Sequence, residues 1–116
     1  MRGWRLAAFG LLTLAGSAQA AAAYEMRITN YSDWDIDYVY LSPTGYDRWG
    51  RDQVGRGNVM QKGDYLMISN ISAGLWDIRV VDEDGDECII TRVSVHSNMS
   101  WDLTNSLLLR CENNTR

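Results

Sequence analysis

From residue 24 onward, apolar positions recur at every second residue rather than every third or fourth, the period of half-buried strands. Tyr24 to Asn30 places Met26 and Ile28 on one face, with Glu25 and Arg27 on the other. Trp34 to Leu41 alternates as well, with Trp34, Ile36, Tyr38 and Tyr40 on one side and Asp35, Asp37, Val39 and Leu41 on the other. Val59-Met60-Gln61 and Tyr65 to Ile68 flank Lys62-Gly63-Asp64, which predicts a tight hairpin. Leu75 to Asp82 turns Trp76, Ile78 and Val80 inward and Asp77 and Arg79 outward, and Glu87 to Val95 groups Ile89, Val93 and Val95. Between these two runs lies Glu83-Asp84-Gly85-Asp86, whose Asp-Gly pair predicts a type I′ hairpin turn. Trp101 to Leu103 reads as a short last strand, and Thr104 as the cap of a single helical turn through Leu107 to Leu109.

The breaks are equally regular. Tyr31-Ser32-Asp33 and Asn70 to Gly74 are turn-rich, and Pro43 ends its strand because it has no N–H to give a ladder. Residues 43–58 hold Gly45, Gly50, Gly55 and Gly57 among charges and read as one long loop, a length often associated with function. About seven short strands with hardly any helical period predict an all-β domain over 24–111: an immunoglobulin-like antiparallel β-sandwich, with a small β-barrel as the alternative. Glu112 to Arg116 is predicted as a flexible tail.

The first residues follow a different pattern. Arg2 and Arg5 precede an apolar run from Leu6 to Ala15, and Ala18-Gln19-Ala20 forms a small-residue cleavage site. That order predicts a signal peptide over 1–20, with cleavage after Ala20 and slippage possible up to residue 23. The apolar run has about half the length of a bilayer-spanning helix. With no cysteine near the cut and no later apolar span, the expectation is a soluble exported chain, periplasmic or extracellular, with no membrane insertion after cleavage. The signal's brevity and its alanine-rich site have a bacterial character.

Cleavage changes the charge balance. It leaves 96 of the 116 residues, with 9 of the 11 basic side chains against all 15 acidic ones, a formal charge near −6 in place of −4. This excludes nucleic acid as the expected partner, since phosphate binding needs a basic stripe, and it disfavours anionic lipid. Arg48, Arg51 and Arg56 come nearest to such a stripe, but Asp47 and Asp52 are interleaved with them. A domain this small buries a limited share of its surface, and export would expose it to an oxidising compartment. Cys88 and Cys111, the only cysteines, are therefore predicted to form one disulfide, closing a loop of about 24 residues and contributing roughly 3 kcal/mol.

Candidate chemistry is sparse. Neither Asp82 to Glu87 nor Asp33-x-Asp35-x-Asp37 fits the twelve-residue calcium loop, which needs Asp at position 1, Gly at 6 and Glu at 12. Calcium stays open only as a site of converging carboxylates, with Asp33, Asp82 and Asp84 as candidate ligands. His96, the only histidine, has Ser94 and Ser97 beside it but no nucleophile-elbow motif, so a small secreted hydrolase is the weaker alternative. Asn30, Asn70, Asn98 and Asn113 head Asn-x-Ser/Thr triplets, which matter only in a glycosylating host. Removing residues 1–20 leaves no Phe but Trp34, Trp49, Trp76, Trp101 and six Tyr, side chains suited to protein or sugar contacts.

Tyr40-Leu41-Ser42-Pro43, Trp49-Gly50-Arg51-Asp52 and Trp76-Asp77-Ile78-Arg79-Val80 with Asp84-Gly85 carry a resemblance. The chain resembles a group of small exported bacterial proteins marked by Leu-Tyr-x-Ser-Pro, Trp-Gly-x-Asp and Tyr-Asp-Ile/Leu-Arg, ending in an Asp-Gly hairpin. The match spans roughly residues 36–88. Trp76 stands where that pattern has Tyr, and the cysteine often found just upstream is missing. The resemblance implies an exported β-domain and no activity. The expectation is therefore a non-enzymatic interaction or envelope-accessory module, without a cofactor unless calcium binds. Its protein or glycan partner is expected at the loop around Tyr46, Asp47, Trp49, Arg51 and Asp52, where Trp49 would anchor the loop on the core and Asp52 would hold backbone amides.

Overall fold

A computed structural model describes residues 22–115, so the predicted signal segment 1–20 lies outside the described residues. Strand periodicity is realised in β1 (Ala23–Asn30), β2 (Ile36–Pro43), β3 (Tyr65–Ser72), β4 (Gly74–Asp82), β5 (Glu87–Val95) and β6 (Met99–Leu103), followed by helix α1 (Asn105–Thr115). The strands form two three-stranded sheets, β3-β1-β6 and β2-β4-β5, with no closed barrel among the described residues. In the first sheet β1 pairs antiparallel with β3 but parallel with β6, from Met26 beside Met99 to Asn30 beside Leu103. The parallel pair departs from the antiparallel expectation. It is accessible because β1 and β6 are far apart in sequence, and the intervening chain supplies the crossover that parallel pairing needs.

One apolar cluster draws on both sheets. Met26, Ile28 and Ile68 enter it from the first and Val39, Ile78 and Val80 from the second. Each is at most 5% exposed, which stabilises by about 1.5–3 kcal/mol per side chain.

Irregularities in three strands decide which residues reach this cluster. In β2 two residues oppose one on β4 between Ile36 and Tyr38. A bulge of this kind switches the faces of all that follows. Val39 and Leu41 therefore join Ile36 in the core, while Tyr38 turns outward and is 45% exposed, the reverse of strict alternation. An extra residue in β5 lies opposite the step from Trp76 to Ile78, where Arg92 takes φ 62°. As a result Ile90, rather than Ile89, packs with Val93 against the core. In β3 a register shift opposite Tyr24 and Met26 accompanies Asn70 at φ 60°, and both Ile68 and Ile71 are buried. Asn70 thus lies within a strand, whereas the turn-like composition of 70–74 predicts a break.

The expected seventh strand, 59–61, reduces to a single bridge between Met60 and Ile36. Lys62-Gly63-Asp64 does turn the chain, with Asp64 N–H donating to Gln61 O at 2.9 Å. Its arms nevertheless do not pair with each other, because Met60 joins β2 while Tyr65 starts the strand beside β1. Asn30 holds this junction. It is fully buried, and its Nδ2 donates to Trp34 O (2.8 Å) and Met60 O (2.9 Å) while its Oδ1 accepts from Ser32 N–H (2.9 Å) and Ser32 Oγ (2.7 Å). Its backbone binds the same turn through Gly63 N–H and Asp64 O.

The β4–β5 hairpin forms, but with a three-residue loop. Asp82 and Asp86 close it, Gly85 N–H donates to Asp82 O at 3.0 Å, and Gly85 alone of the loop takes positive φ (81°). A type I′ turn would require Asp84 to be left-handed too. The cause is the Asp82 side chain, whose Oδ1 accepts from the N–H groups of Asp84 (2.9 Å) and Asp86 (3.0 Å).

Thr104 caps α1 as expected, its Oγ1 accepting from Leu107 N–H at 3.2 Å. The helix continues to Thr115, through most of the predicted tail. Leu108 and Cys111, three positions apart and so on one face, are both buried. The Cys88–Cys111 disulfide, with Cα atoms 5.2 Å apart, ties that face to β5.

Candidate functional site

The outer edge of β2 sets the site. An edge strand with free N–H and C=O groups invites pairing by another chain, and here the segment between β2 and β3 occupies it. Val39 O accepts from Gln53 N–H at 2.7 Å, Val39 N–H donates to Asp52 Oδ1 at 3.0 Å, and Ile36 and Met60 exchange two bonds of 2.9 Å. Asp52 is the clamp, since its carboxylate also accepts from Val54 N–H (3.0 Å) and Gly55 N–H (3.1 Å). Half-buried Val54 packs against the core.

A groove of about 520 Å³ opens between this segment and the start of β2, within the range of small-ligand sites. Asp37 and Tyr38 form one wall; Asp52, Gly55, Arg56, Gly57, Asn58 and Val59 form the rest. The β2 bulge is what turns Tyr38 out. Its ring stacks on Tyr40 with centroids 6.1 Å apart and planes 11° from parallel. The Arg79 guanidinium lies 5.2 Å from the Tyr40 centroid and pairs with Glu87. Glu87, Arg79, Tyr40 and Tyr38 thus form a row across β5, β4 and β2 that ends at the groove.

Of the five loop residues singled out from the sequence, only Asp52 lines this groove. Tyr46 is 64% exposed with Arg48 5.8 Å from its ring centre, Asp47 is exposed at φ 52°, Arg51 is exposed, and Trp49 is half-buried. The apolar anchor of the segment is Val54, in the role expected of Trp49, while Asp52 holds backbone amides as its motif suggested. The polar and aromatic groove residues outside those five are Asp37, Tyr38, Arg56 and Asn58; strict alternation sets Tyr38 on the face of Ile36, which the bulge reverses. The Gly55-Arg56-Gly57-Asn58 run was the available signal, because paired glycines expose backbone beside polar side chains.

Asp77 corrects another expectation. It is buried, 6% exposed, rather than outward. Thr44 Oγ1 (2.7 Å), Arg92 N–H (3.0 Å) and Gly45 N–H (3.4 Å) all donate to it. Burial pushes its carboxyl up; these hydrogen bonds and the Arg92 charge outweigh that and hold it below its ordinary value. It joins the end of β2 to the β5 bulge.

The candidate calcium ligands separate. Asp82 and Asp84 lie together with Asp86, their carboxylate oxygens within 4.8 Å of one another. Asp33 is instead engaged by Lys62 Nζ (2.8 Å) and Asn105 Nδ2 (2.8 Å), and its own N–H donates to Asn105 Oδ1. The hydrogen bond from Lys62, then that from Asn105, then the Lys62 charge lower the Asp33 carboxyl from its usual range. His96 is exposed, with Nδ1 3.4 Å from Ser94 Oγ. Of the Asn-x-Ser/Thr asparagines, Asn30 is fully buried, Asn70 is exposed, and exposed Asn98 accepts from Glu25 N–H; the side chain of Asn113 lies outside the described part. Among the described residues no helix is long and apolar enough to cross a membrane. No family model matches the chain, and no curated protein and no solved structure matches it either.

Proposed function

We propose that the chain is an exported, non-enzymatic binding module that meets its partner, a protein or a glycan, at the groove beside Tyr38. Export rests on the pattern of residues 1–20 and agrees with the Cys88–Cys111 disulfide; the destination is the periplasm or the medium. In this reading the two sheets are the layers of an immunoglobulin-like sandwich, supported by the single cluster to which both contribute. The carrying observation is the groove itself. An aromatic ring held by a row of side chains stands beside Asp37, Arg56 and Asn58, on a strand edge whose backbone is already paired. Held side chains lose little freedom on binding, which favours recognition.

The test is retention of an envelope component by the immobilised chain. Tyr38→Ala and Arg56→Ala are expected to lose it, and Glu25→Ala, on the exposed face of the other sheet, to keep it. Equal retention by all three folded variants refutes the groove as the binding surface.

A further inference from the structure

The chemistry of the groove narrows its occupant, and the inference rests on the binding role proposed above. We infer that the groove takes a neutral saccharide, with one sugar ring stacked on Tyr38. A pyranose presents an apolar C–H face and a rim of hydroxyls, each both donor and acceptor. The apolar face requires a flat, accessible ring with a polar edge. Tyr38 supplies it, 45% exposed and oriented by its stack on Tyr40, whose ring Arg79 in turn approaches. The hydroxyl rim requires acceptors and donors side by side. Asp37 accepts, Arg56 donates, and the Asn58 amide accepts and donates through the N–H not given to Val54 O, all on the walls of one groove.

Charge favours the same ligand class. Asp52 brings a second carboxylate, but three backbone N–H groups already occupy it. Those bonds leave its charge in place, so Asp37 and Asp52 against Arg56 give the lining a net charge of −1, which disfavours phosphate and anionic sugars and offers a polycation little to hold. Gly57 leaves room, since a Cβ built there meets nothing within 4 Å, and its φ of 77° suits glycine or asparagine. A volume near 520 Å³ holds a short oligosaccharide rather than a folded partner.

The experiment is titration of the isotopically labelled, disulfide-bonded chain with cellotetraose, maltotetraose and N-acetylglucosamine trimer, followed by amide NMR. At least one sugar is expected to shift the Tyr38, Gly55, Gly57 and Asn58 amides saturably. Tyr38→Ala should weaken that binding about tenfold and Tyr38→Phe less than about threefold, because the ring face carries the contact. Gly57→Asn, at a left-handed φ where every side chain is strained but asparagine least, should crowd the groove while the chain still folds, at a slightly lower melting temperature. Three results overturn the inference: no sugar shifts these amides; binding survives both Tyr38→Ala and Gly57→Asn; or tetramethylammonium shifts them and sugars do not. If envelope capture still depends on Tyr38 and Arg56 while every sugar is silent, the saccharide is wrong and the binding role stands. If capture is also indifferent to both residues, both readings fall.

Discussion

The junction around Asn30 and the groove beside Tyr38 are both rich in polar side chains, and they use them in opposite ways. At the junction every polar atom of the Asn30 side chain has a partner inside the protein, and the residue is fully buried. At the groove Asp37, Arg56 and Asn58 line open space, although Asn58 Nδ2 also donates to Val54 O at 3.4 Å. An internally satisfied polar group specifies architecture, because losing one partner strands the others away from water. A polar group facing a cavity remains available to a ligand. Asp52 stands between the two cases, lining the groove while its oxygens are taken up by backbone amides.

The largest expected effect breaks the closed side of this comparison. Asn30→Ala removes four buried hydrogen bonds and leaves Ser32 N–H without its acceptor, while Met60 O keeps Ile36 N–H and Trp34 O keeps Ser32 Oγ; with the cavity it opens, it should lower the unfolding free energy by about 3 kcal/mol in denaturant titration. Asp77→Ala should cost about 2 kcal/mol by removing the acceptor for Thr44, Arg92 and Gly45. The Asp77 carboxyl also links stability to pH. Its folded value lies below the ordinary 3.8, so its contribution is complete above that range and is lost as pH falls through the depressed folded value. Asp77→Asn keeps an acceptor oxygen without the charge, and should flatten the acid limb of a stability–pH curve relative to wild type.

Asp52→Ala sharpens the boundary between the two regions. It should cost about 1.5 kcal/mol and speed amide exchange at Val39, Val54 and Gly55, since their shared acceptor is gone. The smallest effect belongs to the open side. Arg56→Ala, at an exposed position, should leave stability within about 0.5 kcal/mol while abolishing retention of the partner. A large loss of stability there would mean that Arg56 is structural and that the two regions do not differ as described.

Legibility in the sequence follows the range of the interaction. The β4–β5 hairpin, the Thr104 cap and the Cys88–Cys111 bond depend on neighbours in sequence or on a unique pairing, and each was readable. The faces of β2 were not. One extra residue reverses an alternating strand, and nothing local to Ile36-Asp37-Tyr38 marks where β4 will impose the shift. Asp77 misled for a related reason. In a strand pattern an aspartate reads as solvent-facing, and its burial depends on donors from residues 44, 45 and 92, brought in by two other segments.

The sequence by itself determined the β-strand period, most element positions, the acidic balance and the single disulfide, because these follow from local pattern and composition. Only the tertiary structure decided that β1 and β6 run parallel, that residues 52–60 cover the β2 edge and that Tyr38 stands beside a groove. Those outcomes depend on which distant backbone groups satisfy one another, and a period-two pattern carries no record of its partners. The long glycine-rich segment stands out in the sequence by its composition. Which of its side chains face the groove was settled by the Asp52 clamp and the Met60 bridge, whose partners on β2 lie more than ten residues away.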